Sequence, residues 1–285
     1  MNASRALVLA TLALTFVVVV AGAYVRLSDA GLGCPDWPLC YGQPLPDGIA
    51  DRDALARAWK EMGHRYLAGT LGVLILVMAI LSWKTRHAPW LTTALLALVV
   101  FQATLGMWTV TMLLKPAIVT AHLLGGMAIL GVLCWLALSH FRIEREASAL
   151  RLPAALALGV LAVQIALGGW VSANYAGLAC PDLPLCRGAL VPPMDDTLAA
   201  IHWTHRMFAL AVVAVLSWAS VKTFRHFRSL ALLIAALLLL QFSLGVANVW
   251  LQMPLWLAAA HNAGAALLLA SLVVLNFFAF RKLRP

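Results

Sequence analysis

The stretch Cys34-Pro-Asp-Trp-Pro-Leu-Cys40 returns, with one change, as Cys180-Pro-Asp-Leu-Pro-Leu-Cys186, 146 residues further on. A seven-residue motif repeated at that distance marks a duplicated chain, and its surroundings keep nearly the same step. His64-Arg65 returns as His205-Arg206 at an offset of 141, and Ala121-His122 as Ala260-His261 at 139. Gln102-Ala-Thr-Leu-Gly106 matches Gln241-Phe-Ser-Leu-Gly245, also at 139. The offset falls because the loop holding the first motif is longer than the loop holding the second. Two halves follow, residues 1–145 and 146–285.

Outward from both motifs the chain is apolar. It is 63% hydrophobic and 11% charged, where a soluble domain carries roughly 25% charged residues. Apolar runs of about the length that crosses a bilayer fall near 6–25, 63–83, 90–111, 118–139, 152–172, 204–221, 229–250 and 257–280. None alternates as a barrel strand does, and backbone polar groups in lipid must be satisfied within their own segment, so all eight are expected to be helices. The fold class is therefore an all-α polytopic membrane protein, eight transmembrane helices arranged as two repeated four-helix bundles. An even number of spans gives both halves the same orientation, as in parallel repeats about an axis along the membrane normal.

The net charge of +9 would suggest nucleic acid in a soluble protein, but here position matters more than sum. With the N-terminus inside, the inner segments hold Arg5, Lys84, Arg86, Arg142, Arg145, Arg151, Lys222, Arg225, Arg228, Arg281, Lys282 and Arg284, twelve of the 20 basic residues. Asp29, Asp36, Asp47, Asp51, Asp53 and Glu61 accompany the outer ones near the first long loop. The positive-inside rule places both termini in the cytoplasm, in a bacterial inner membrane, with lipid as surroundings and no nucleic acid as partner. The first span ends at Ala23-Tyr-Val-Arg-Leu-Ser28 without a small-residue cleavage site, and is expected to be an anchor.

His64, His122, His205 and His261 fall within about the first turn or two of spans 2, 4, 6 and 8. Any one alone could be an interfacial polar side chain. As duplicated pairs on helices entering at one level, they suit two axial ligands meeting one metal in a bundle core. Zinc prefers three or four close ligands, often thiolates or carboxylates, whereas small apolar residues surround these pairs. Gly63 and Gly69 flank His64, Gly125 and Gly126 follow His122, and Gly264 follows His261, as expected if a flat macrocycle packs against helix backbone. The guanidinium of Arg65 or Arg206, next to its histidine, could hold a propionate or snorkel to headgroups. His87, His140 and His226 sit at inner helix ends beside basic residues, while His202, one turn before His205, could line the second site.

Outer loops of a bacterial periplasm are oxidising, so Cys34 with Cys40 and Cys180 with Cys186 are expected to be disulfides. Each closes a small ring worth on the order of 2 kcal/mol as a staple, with a redox role as the alternative. Cys134 lies mid-helix as packing. Glu61 stands one turn before His64, and its counterpart at the 141 offset is His202. It is either a favourable anion at a helix N-terminus or an acid-base group at the edge of a heme pocket.

Taken together, Arg26-Leu-Ser-Asp-Ala-Gly-Leu-Gly-Cys34 with its loop, Glu61-Met-Gly-His64-Arg65, Thr120-Ala-His122, the second cysteine loop, His205-Arg206 and Ala260-His261 resemble the heme A synthases of bacteria and mitochondria over almost the whole chain. The resemblance implies conversion of heme O to heme A by oxidising one porphyrin methyl to a formyl group, in two successive oxidations and loss of water from a hydrate. It implies substrate heme O at His64, His122 and Arg65, with Glu61 as catalytic acid or base. It also implies a resident heme b at His205, His261 and Arg206, relaying electrons. Heme O synthase and cytochrome oxidase assembly factors are the partners it suggests, and a homo-oligomer is compatible with it. The residues themselves also fit a diheme b-type electron carrier without catalysis, from which Glu61 opposite His202 is the distinguishing feature. A heme transporter fits less well, because its helices would be broken by Gly or Pro near the midplane.

Overall fold

The computed structural model describes residues 3–141 and 147–281. Eight long helices run in chain order: α1 Ala3–Leu27, α2 Arg52–Thr85, α3 Pro89–Thr111, α4 Pro116–Ser139, α5 Arg151–Ala173, α6 Thr197–Phe224, α7 Arg228–Trp250 and α8 Leu255–Phe280, with a single 3-10 turn at Ser148–Leu150 before α5. All eight are long and apolar enough to cross a membrane. Among the described residues no strand occurs, only isolated bridges between Cys40 and Gln43 and between Cys186 and Ala189. The protein is an all-helical, multi-pass membrane protein.

Two of the expected boundaries are corrected. The second and sixth helices begin at Arg52 and Thr197, well before the apolar runs near 63 and 204: α2 continues outward into charged sequence and α6 through Thr197-Leu-Ala-Ala-Ile-His-Trp203. Aspartates cap both extensions. Asp51 accepts from the N–H groups of Asp53 at 3.1 Å and Ala54 at 3.3 Å, and Asp196 accepts from that of Ala199 at 3.0 Å. Such a cap contributes about 1 kcal/mol. A hydropathy window counts the charges of Arg52, Asp53, Arg57 and Lys60 against a span, although none of them opposes a helix outside lipid. At the opposite end of the bilayer, Pro89 opens α3 where its missing N–H costs nothing.

The chain divides into two compact units, Met1–Ala137 and Leu138–Pro285. The expected junction at 145 and 146 falls within residues 142–146, outside the described residues, as do Arg142, Arg145, Lys282 and Arg284 of the inner basic set. In the first unit Val8, Leu71, Ile75, Met78, Leu95, Ile129 and Leu133 form one buried core. Lipid is as apolar as these side chains, so close packing and interhelical hydrogen bonds hold the bundle. In the second unit α5 packs against both α6 and α8, and α7 against both of its chain neighbours. There the Asn276 amide donates to the carbonyls of Ala154 and Leu272, each at 2.9 Å, tying α8 to α5.

Candidate functional site: paired histidines beneath disulfide loops

Each unit carries the same assembly. Cys34–Cys40 and Cys180–Cys186 are disulfides, and Cys134 is buried in α4 apart from them. Within the first loop the Asp36 carboxylate accepts from the N–H groups of Tyr41 at 2.7 Å and Gly42 at 2.8 Å. Within the second, Asp182 accepts from those of Arg187 at 2.6 Å and Gly188 at 2.7 Å. The Gly188 and Arg187 donors hold the Asp182 carboxyl below its usual range. Both loops contain a cis X–Pro bond, at Trp37–Pro38 and Leu183–Pro184.

The arginines after the histidines clasp these loops. Arg65 donates through Nη1 to the carbonyls of Asp36 at 2.9 Å, Leu39 at 2.7 Å and Pro38 at 3.4 Å, and through Nη2 to Glu61 Oε1 at 2.5 Å. Arg206 donates to the carbonyls of Asp182 at 2.9 Å and Cys180 at 3.3 Å. Glu61 is buried, and its Oε2 accepts from the Cys34 N–H at 2.9 Å. In the second unit His202, also buried, does the same task, its Nδ1 accepting from the Cys180 N–H at 3.2 Å. Glu61 is thus no helix-end anion. It is the tenth residue of a helix that starts at Arg52, well beyond the first turn where the helix dipole acts.

His64 and His205 likewise lie deeper in their helices than the first turn or two, as the thirteenth residue of α2 and the ninth of α6. All four histidines are half-buried, and in each Nδ1 is enclosed without a hydrogen-bond partner. His64 and His122 are close enough for their charges to interact, and so are His205 and His261. Each ring rests against a glycine of the preceding helix. A Cβ on Gly22 would stand 2.9 Å from Cε1 of His64, on Gly106 3.3 Å from His122, on Gly168 3.1 Å from His205, and on Gly245 3.3 Å from His261. These approaches are too tight for side chains to be added freely. Gly63 and Gly69 open onto free space as expected, but Gly125 and Gly264 are filled by Gln102 and Gln241.

A family model described as cytochrome oxidase assembly protein matches residues 5–273. A heme A synthase of Shewanella oneidensis is 41% identical, covering 95% of this chain and 95% of its own length. The heme A synthases of Caulobacter vibrioides and Halalkalibacterium halodurans are 30% and 27% identical, over 96% and 90% of this chain and 94% and 90% of theirs. The chain belongs to the heme A synthase family. For a member of that family the donor set is apt. Two half-buried imidazoles per unit, each seated against a glycine, suit the ligation of a flat iron porphyrin. Among the described residues no three His, Cys, Asp or Glu side chains gather as a compact metal site. The glycine seats went unread in the sequence. Gln102–Gly106 and Gln241–Gly245 stood out as a repeat, but only the helix rotation shows which residue they face.

Proposed function

We propose that the protein converts heme O to heme A, oxidising one methyl group of the porphyrin to a formyl group in the bacterial inner membrane, with both termini in the cytoplasm. The observation that carries the reading is the pair of half-open, glycine-seated histidines in each unit, together with family membership. His64 and His122 of the first half, residues 1–145, take the substrate heme O as axial ligands. His205 and His261 of the second, residues 146–285, hold a resident heme b, which when bound supplies one-electron redox chemistry. Arg65 and Arg206 hold the loops above the histidines and offer positive charge at the porphyrin rim, where propionates would lie.

Glu61 is the residue that differs most in chemistry between the otherwise matched sites. Oxidising a methyl group releases protons with its electrons, and a carboxylate one turn from a ligand histidine can take them up or stabilise developing positive charge. His202 at the equivalent place keeps the loop contact without an anion, which suits a half that only carries electrons. Each of two successive oxidations removes two electrons, to an external acceptor, and two protons while adding one oxygen atom from water, and the resulting hydrate loses water to leave the aldehyde. The heme A goes to terminal oxidase assembly, where heme O synthase as supplier and assembly factors as recipients are the fitting partners.

The test is pigment extraction from the purified protein. Heme b together with heme O or heme A is expected, and replacing both His205 and His261 with alanine should remove heme b alone. Heme b as the sole pigment in cells making heme O would favour a diheme carrier.

A further inference from the structure

At three of the four glycine seats, a glutamine stands four residues earlier. Gln102 precedes Gly106, Gln164 precedes Gly168 and Gln241 precedes Gly245, while Val18 precedes Gly22. Four residues are one helical turn, so each of these side chains shares a face with its glycine and lies beneath the histidine seated there. Gln102 Nε2 donates to the backbone carbonyl of His122 at 2.8 Å, and Gln164 Nε2 to that of His205 at 3.1 Å. The Gln241 amide meets the ring of His261, 3.3 Å from Nε2. Val18 has no polar atom to offer His64.

Polar amides inside spans are costly, and here the cost is visible. Oε1 of Gln102, Gln164 and Gln241 is enclosed without a hydrogen-bond partner. An aliphatic residue would avoid that penalty, as Val18 does. At His122 and His205 the amide does what an aliphatic residue cannot: bonded to the backbone carbonyl, it fixes the rotation of the histidine's helix against its neighbour, and so the plane of the ring.

We propose that these glutamines are positioning residues for the ligand histidines, and that Val18 leaves His64 as the releasable ligand. In the second half a glutamine stands beneath both histidines and Gln164 holds the His205 carbonyl, whereas in the first half only His122 has one, and the porphyrin at the unsupported His64 is the one that exchanges. The inference rests on reading the four histidines as axial ligands. It agrees with the tasks of the two sites, since a substrate porphyrin must leave at every turnover and a resident one must not.

The experiment uses the purified full-length protein carrying heme b and heme O, with excess apomyoglobin as heme acceptor. The two hemes are chemically distinct, so extraction and chromatography follow the release of each. Gln164→Met keeps side-chain length without the amide. It should release heme b about two- to tenfold faster, the range one net hydrogen bond supports, and shift the low-spin ferric EPR signal as the His205 plane is freed. Val18→Gln should slow heme O release by a similar factor and leave heme b unchanged. The new side chain has a precedent beneath His205, where Gln164 fits although Phe208, unlike Gly125 beside Gln102, is no glycine. Unchanged heme b release and EPR signal in Gln164→Met, or unchanged heme O release in Val18→Gln, would overturn the proposal. Should Val18→Gln not accumulate, Gln102→Met takes its place: faster heme O release supports the brace and an unaltered rate refutes it. His205→Ala separates the two levels of the argument. Retention of heme b there defeats the ligand assignment itself, whereas its loss beside an unaltered Gln164→Met defeats only the brace.

Discussion

Replacing Glu61 by histidine copies the second half into the first and separates two tasks of one side chain. Glu61 accepts the Cys34 N–H at 2.9 Å and the Arg65 guanidinium at 2.5 Å, so alanine would remove anchor and chemistry together. Histidine can keep the anchor, because His202 Nδ1 accepts the Cys180 N–H with Arg206 nearby. The swap removes the carboxylate from Arg65, a contact between a side chain 13% exposed and one 6% exposed. Deleting one member of a buried pair costs up to about 3–5 kcal/mol, but Arg65 keeps three loop carbonyls at 2.7 to 3.4 Å. The loss should therefore be nearer that of one charged hydrogen bond, about 1.5–3 kcal/mol. If the carboxylate does acid-base work, product formation should fall about 10²- to 10⁴-fold, far beyond what lower stability alone explains. The assay is heme extraction and chromatography from cells with matched protein levels, alongside a thermal melt of the purified variant. Glu61→His that folds, keeps heme b and still makes heme A at near wild-type yield would refute the catalytic assignment.

Non-reducing peptide mapping should recover Cys34 linked to Cys40 and Cys180 linked to Cys186, with Cys134 alkylated only after unfolding; alkylated thiols at all four loop positions in oxidised membranes would contradict the fold of both loops. Gly22→Ala, whose Cβ would stand 2.9 Å from His64 Cε1, should weaken heme O binding and leave heme b intact, measured by pigment ratio. Gly168→Ala should do the reverse through His205. The Asp182 carboxyl titrates below its ordinary 3.8 in the native loop because the Gly188 and Arg187 N–H groups bind its charged form. Its contribution is therefore fully present above about pH 4 and is lost as pH falls through the lower native value. Amide exchange at Arg187 and Gly188 should accelerate on acidification below pH 4, and Asp182→Asn should abolish that pH dependence.

The spans and the repeat were legible because both are properties of sequence alone: hydropathy fixes what can lie in lipid, and an offset shows what was copied. The four histidines emerged by the same route, since duplication separates His64, His122, His205 and His261 from His87, His140 and His226. Contacts between distant segments were not legible. Offset arithmetic aligned Glu61 with His202, yet that both accept the first cysteine's N–H depends on loops folding back across 27 and 22 residues. Arg65 and Arg206 read as propionate holders or as side chains snorkelling to headgroups, while their donors reach loop carbonyls that no periodicity marks. The extension of α2 was hidden by the charges on it, and the glycine seats by the unknown rotation of each helix about its axis.

The long α2 and α6 also act as rulers. From His64 to Thr85 at its far end α2 rises about 32 Å, and from His205 to Phe224 α6 rises about 28 Å, at 1.5 Å per residue. From His122 to Ser139 and from His261 to Phe280 the rises are about 26 and 28 Å. The hydrocarbon layer is about 30 Å thick, so in each half both histidines stand near one of its boundaries, on the side of the disulfide loops. A porphyrin ligated at that depth in either half would exchange electrons and protons within a few ångströms of the aqueous face on the side of its own disulfide loop. Turnover would then carry almost no charge through the membrane field, and its rate should be indifferent to membrane potential.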